Sequence, residues 1–196
     1  MFRNTISTGL RMLALLTLLT GVLYPLVVTI IAQAFFADQA NGSLLLRDSQ
    51  VIGSDLIGQQ TDDPRYFWGR PSAVDTMQGS TPDHLGTSGA TNYGWTSAAL
   101  AELVAQRAAE FRQANGLSAD TVVPADMLFA SGSGLDPHIS PESARLQIDR
   151  VADARGLPRQ QVANLVERFV EAPQFGFLGQ PRVNVLRVNL ALDALQ

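Results

Sequence analysis

Residues 130–140, ASGSGLDPHIS, gather three serines, two glycines, an aspartate and a histidine into eleven positions. Ser133, His138 and Asp136 are the residue types of a nucleophile, a general base and the acid that orients the base. Their spacing argues against that chemistry. A nucleophile elbow needs Gly two residues before its serine, and that position is Ser131. Triad members are also normally brought together from distant segments. The same residues have a structural reading: Gly132 and Gly134 permit tight turns, Asp136-Pro137 starts another, and Ser140 caps a helix.

Other chemistries are weaker still. A glycine-rich loop that opens a helix can cradle phosphate, but this chain has no lysine, which excludes a Walker A loop, a Schiff-base lysine and a Ser-Lys dyad. His84 and His138 with Asp83 and Asp136 are the only histidine-based metal candidates, and there is no cysteine for a thiolate site or a disulfide. Asp62-Asp63 before Pro64 reads as a solvated turn, since sequence neighbours are poorly placed to act from opposite sides of a substrate. The expectation is therefore no catalytic residue, no metal and no directly bound cofactor. The patch Tyr66-Phe67-Trp68-Gly69-Arg70-Pro71 fits two readings equally, an interface rich in aromatic and Arg anchors or a core strand ending at Arg70-Pro71.

Several elements must position these residues. Val51-Ile52-Gly53 and Leu56-Ile57-Gly58 read as short strands after a turn at Asn41-Gly42-Ser43, and residues 59–96 are loop-rich. Thr96 or Ser97 caps a helix carrying Leu100, Leu103, Val104, Ala108 and Phe111, stopped at Asn115-Gly116. A helical turn follows Pro124, with Met127, Leu128 and Phe129 expected to point inward. Ser140-Pro141-Glu142 opens a helix through Ile148, Val151 and Ala152 to Arg155-Gly156. Another starts at Pro158 and carries Val162, Leu165, Val166 and Phe169. Residues 182–190 alternate Val183, Val185 and Val188 with Asn184 and Asn189, which predicts a strand with one buried face. Helices between flanking strands give an α+β domain.

Ahead of all this, residues 12–36 form a run of 25 without a charged side chain, and all 18 acidic residues follow it. As a helix the run reaches about 37 Å, more than the roughly 30 Å of bilayer hydrocarbon. Arg3 and Arg11 precede it, so positive charge places a stub, residues 1–11, in the cytoplasm, with the span at 12–36 and one extracytoplasmic α+β domain at 37–196. That domain is net acidic, with 12 Arg against 18 carboxylates, which does not suit nucleic acid. Ala32-Gln33-Ala34 resembles a signal-peptide cleavage site, but the apolar run exceeds the usual 7–15 residues of such a leader, so an anchor is the better reading. Within the span Thr17, Gly21 and Pro25 recur every four residues, with Thr20 and Tyr24 on the neighbouring stripe. Together they form a small, weakly polar face suited to packing against another helix in lipid.

Taken in order, TGVLYPLVV (20–28), QANGSL (39–44), SDLIGQ (54–59), YFWGRPSA (66–73), ASGSGLDPHIS (130–140) and GQPRVNVLRVNLALD (179–193) resemble the KdpC family, C subunits of the bacterial Kdp potassium-transporting ATPase. The chain departs from the family pattern at Thr61 and in SGATNYGWTS (88–97). The resemblance implies assembly in the bacterial inner membrane with three partners. These are a channel-like potassium-translocating subunit, an ATP-hydrolysing P-type subunit and a small single-span subunit. It also implies a catalytic chaperone that raises the ATP affinity of the P-type subunit, with ATP and potassium handled by the complex. Two rivals stand beside it: a membrane-tethered hydrolase using Ser133 and His138, and a secreted binding domain released after Ala34.

Overall fold

The computed structural model describes residues 2–47, 49–74 and 87–195, which form two compact units, Met1–Leu44 and Leu45–Gln196. The first is a long helix: α1 (Phe2–Leu18), a π turn (Leu19–Leu23) and α2 (Tyr24–Phe35), then a single turn, α3 (Ala37–Ala40). Arg3–Phe35 is long and apolar enough to cross a membrane. The helix thus begins well before the uncharged run, because nothing in residues 2–11 breaks it. The π turn is made by Tyr24 N–H donating to Leu19 C=O, five residues back, immediately before Pro25, which has no N–H to give. Gly42 (φ +90°) and Ser43 (φ +46°) make the expected turn.

The second unit is mixed α and β. β1 (Leu44–Arg47), which the hydropathy pattern did not reveal, pairs with β2 (Gln50–Ser54), whereas Leu56-Ile57-Gly58 is a turn and coil rather than a strand. The other sheet has the order β3 (His138–Ile139), β5 (Arg182–Asn184), β4 (Val170–Glu171), all antiparallel, with Ile139 and Val170 both opposite Val183. Against it lie α5 (Pro141–Leu146) and α8 (Val185–Asp193), with α7 (Arg159–Arg168) packed on both and α6 (Ile148–Arg155) on α7. Their apolar stripes supply a core of Val151, Val162, Val166, Val188 and Leu192, closed by Phe67 and Val183.

The expected caps are present. Ser97 accepts from the Leu100 N–H and opens α4 (Ala98–Ala114); Ser140 accepts from the Ser143 N–H and opens α5 with Pro141 at its first position. Gly156, in the left-handed conformation at φ +63°, ends α6. Met127 is buried in a short 3-10 turn (Ala125–Met127), but Phe129, expected inward, is 41% exposed.

Two further expectations are corrected. The helix read as continuous from Ser140 to Arg155 breaks at Gln147, whose N–H closes a tighter turn on Ala144 C=O three residues back. The strand expected over 182–190 ends at Asn184, whose side chain accepts from the Arg187 N–H and caps α8 instead. Val185, Val188 and Leu192 then share one buried helical face, a spacing of three and four that outcompetes the apparent alternation.

Candidate functional site

The serine- and glycine-rich loop is occupied with holding itself and its neighbours. Ser131 Oγ accepts from the Gly134 N–H (2.9 Å) and Ser133 Oγ from the Leu135 N–H (3.1 Å), so both hydroxyls serve backbone turns. Asp136 Oδ1 accepts from the His138 N–H (3.0 Å) and lies 3.5 Å from His138 Nδ1, while its Oδ2 takes Arg70 Nη1 at 2.8 Å. Burial opposes ionisation of Asp136, yet the hydrogen bonds from the His138 side chain and backbone and from Arg70 outweigh it and hold the carboxyl at about 2. Three other segments dock on the loop's carbonyls. Gly58 N–H donates to Leu135 C=O (2.8 Å), Ser72 Oγ to Gly134 C=O (2.6 Å), and Gly89 N–H to Ser133 C=O (2.8 Å). The approach is so close that a Cβ at Gly58 would lie 2.5 Å from the Asp136 carbonyl oxygen. Ser133, Asp136 and His138 are therefore neighbours through local turns, and Asp136 is committed to Arg70 as well as to His138.

His84 and Asp83 lie outside the described residues. Among the described residues, no three His, Cys, Asp or Glu side chains gather as a metal site would require. Asp63 accepts from the backbone and side chain of Arg65, which lowers its pKa, as the turn reading of Asp62-Asp63 implies.

The aromatic-basic patch resolves toward the core. Phe67 is fully buried, and the extended backbone on either side of it is held by two side-chain amides where a strand would have used a neighbour. Asn189 accepts from the Phe67 N–H (2.8 Å) and donates to its C=O (2.9 Å); Gln147 does the same for Trp68 (2.7 and 3.2 Å). Gln147 stands at the junction of α5 and α6, where its N–H donates to Ala144 C=O (3.1 Å) and its Nε2 to Ser143 C=O (3.3 Å).

Arg150 then locks the region. Its guanidinium stacks on Trp68 at 4.2 Å and donates to Asn115, Gln147 and the carbonyls of Pro64 and Tyr66. Burial lowers its pKa to about 10, which still leaves it charged at neutral pH. Arg155, with only 2% of its side chain exposed, stacks on Tyr66 (4.6 Å) and pairs with Asp193 at 2.7 Å; Arg47 and the Tyr66 hydroxyl reach the same carboxylate. Gln147, Arg150, Arg155, Asn189 and Asp193 carry this arrangement and were not legible in advance. Polar residues on predicted helices look the same whether they face water or a buried backbone.

In the apolar helix Thr20 donates its hydroxyl to Leu16 C=O (2.7 Å), and the added Cβ of a substituted Gly21 would meet only Thr17, at 3.9 Å. On a 3.6-residue helix every fourth residue drifts by about 40° round the axis. The wider π turn at Leu19–Leu23 takes more residues per turn and offsets that drift, so Thr17, Gly21 and Pro25 keep a straighter line than an unbroken α-helix would give them.

The fold and its polar clusters define a class: an α+β unit stitched by internal arginine and amide networks, preceded in the chain by one helix able to cross a membrane. Over residues 6–194 the chain matches the family described as the K+-transporting ATPase, c chain. It is 51% identical to the potassium-transporting ATPase KdpC subunit of Methylococcus capsulatus, covering 98% of this chain and 99% of that one. It is 49% identical to the subunits of the same name from Paraburkholderia phytofirmans (99% and 98% covered) and Mycobacterium tuberculosis (98% and 100%). The chain belongs to the KdpC family and is a membrane subunit of a potassium-transporting ATPase.

Proposed function

We propose that the chain is a non-catalytic subunit that assembles and stabilises a high-affinity potassium import pump. Residues 1–11 lie in the cytoplasm, 12–36 span the bacterial inner membrane, and the folded unit stands outside. The helix packs through Thr17, Thr20, Gly21, Tyr24 and Pro25 against the channel-like, ATP-hydrolysing or small single-span subunit. The observation that carries this reading is the family match along nearly the whole chain. The hydrogen bonding of Ser133, Asp136 and His138 supports it, because each is engaged in turn or ion-pair contacts within the fold.

No cofactor is bound directly in this reading; ATP and potassium are handled by the complex. As a catalytic chaperone, the subunit raises the ATP affinity of the P-type partner by favouring one state of the pump. A domain outside the membrane has no access to cytoplasmic nucleotide, so the effect is a coupling free energy and not a contact.

The absence of cysteine from the sequence allows a clean test of sidedness. An A119C variant in intact cells should react with a membrane-impermeant maleimide, and N4C should react only after the cells are opened. The opposite pattern would reverse the topology and remove the argument against direct ATP contact.

A further inference from the structure

The loop joining β4 to β5 turns its apolar side chains outward. Gln174 and Leu178 exchange backbone hydrogen bonds, both 2.9 Å, and Phe177 N–H donates to Gln174 C=O at 3.3 Å. The two central residues of that turn, Phe175 (φ +55°) and Gly176 (φ +83°), are both left-handed. Glycine adopts this freely, whereas a bulky aromatic is strained there, which singles the position out for a role beyond connecting two strands. Phe175 is 80% exposed, Phe177 75% and Leu178 49%. Residues 172–181 contain no charged side chain, and at the base of the loop Arg182 and Glu171 neutralise each other at 2.9 Å.

We propose that this tip buries Phe175, Phe177 and Leu178 in the interfacial layer of the bilayer that holds the apolar helix. Eight residues, 36–43, connect α2 to β1, and fully extended they reach at most about 29 Å; the turn α3 shortens that further. A domain on so short a leash meets lipid at high effective concentration. Aromatic and Leu side chains settle about 5–10 Å into the headgroup and acyl boundary, and an uncharged tip brings no ion to desolvate there. A groove on a partner protein is the competing occupant. Anchors in such grooves are most often Trp, Tyr and Arg; Trp and Tyr mark membrane interfaces as well, so the choice of lipid rests on the short leash and on the absence of Arg and of any other charge from residues 172–181. The proposal holds on whichever side of the membrane the domain lies.

The test uses the full chain in phosphatidylcholine–phosphatidylglycerol vesicles, with a nitroxide on F177C as the only thiol. Collisions with oxygen, which concentrates in lipid, should exceed those with a water-soluble nickel chelate. A nitroxide on V122C, at an exposed position elsewhere in the same unit, should show the reverse order. Adding F175D to F177C should move the label to the V122C pattern while leaving the far-UV circular dichroism unchanged. The same pattern for F177C and V122C in vesicles would overturn the proposal. So would protection of F177C that arises only when the other pump subunits are added, which would assign the tip to a protein groove.

Discussion

Asp136 ionises well below an ordinary carboxylate because the folded loop supplies hydrogen bonds and a cation that the unfolded chain lacks. Its stabilising contribution is present above the unfolded value of 3.8 and is lost as pH falls through about 2. D136N should accordingly lower unfolding stability at neutral pH by about 2 kcal/mol, and the deficit should shrink as pH falls from 3.8 to about 2; chemical denaturation at both ends of that range would show the same deficit if the ion pair were unimportant. Gly58 makes a separate demand at the same loop. With the Asp136 carbonyl in the way of any Cβ, G58A should destabilise by roughly 1–3 kcal/mol, measured as a lowered urea midpoint with an unchanged slope.

The structural role of the serine- and glycine-rich loop was legible in the sequence because turn and cap chemistry is local. The bracketing of Trp68 by Gln147 was not, since residues 79 positions apart carry no mutual signal in one sequence. Gln147 is fully buried, and Q147L would strand the Trp68 amide and carbonyl together with one Arg150 donor. A loss of about 3 kcal/mol or more is expected, readable by thermal or urea unfolding; a near-neutral result would mean that water replaces the amide.

Among the elements, those with local start and stop signals were foreseen with their boundaries: α4 from Ser97 to Asn115, α5 from Ser140, and the end of α6 at Gly156. Sequence pattern and structure differ where tertiary contacts set the outcome. Val183 and Val185 alternate as a strand would, and only the capping by Asn184 and the burial of Leu192 reveal the helix beyond. β1 is short and mostly exposed, so its sequence lacks a buried face to recognise. In the apolar helix, length and lack of charge made a helix able to cross a membrane legible, while the π turn required the structure. Gly21 has open space around it within its own chain, so G21L should leave the helix intact. Any loss of assembly it causes reports packing against another subunit. Weakening of roughly tenfold is expected in detergent, read as the fraction of partner subunits that co-purify.

For the whole molecule, the buried polar side chains of the second unit serve its rigidity. Arg150 and Arg155 stack on Trp68 and Tyr66 and clamp the carbonyls of residues 64–66, so residues 64–68 are fastened to the helical core by side chains. In the proposed role, such a body would transmit a preference for one pump state only through surfaces laid against the other subunits. The most direct measurement is purification of the whole complex with this subunit as wild type, as G21L, and as the double variant S133A/H138A, followed by potassium-stimulated ATP hydrolysis. The account predicts that the double variant retains its partners and full turnover, with only about 1–2 kcal/mol less stability in its own fold, whereas G21L loses partners. A complex that keeps every subunit with S133A/H138A and yet loses turnover, while G21L assembles normally, would contradict it.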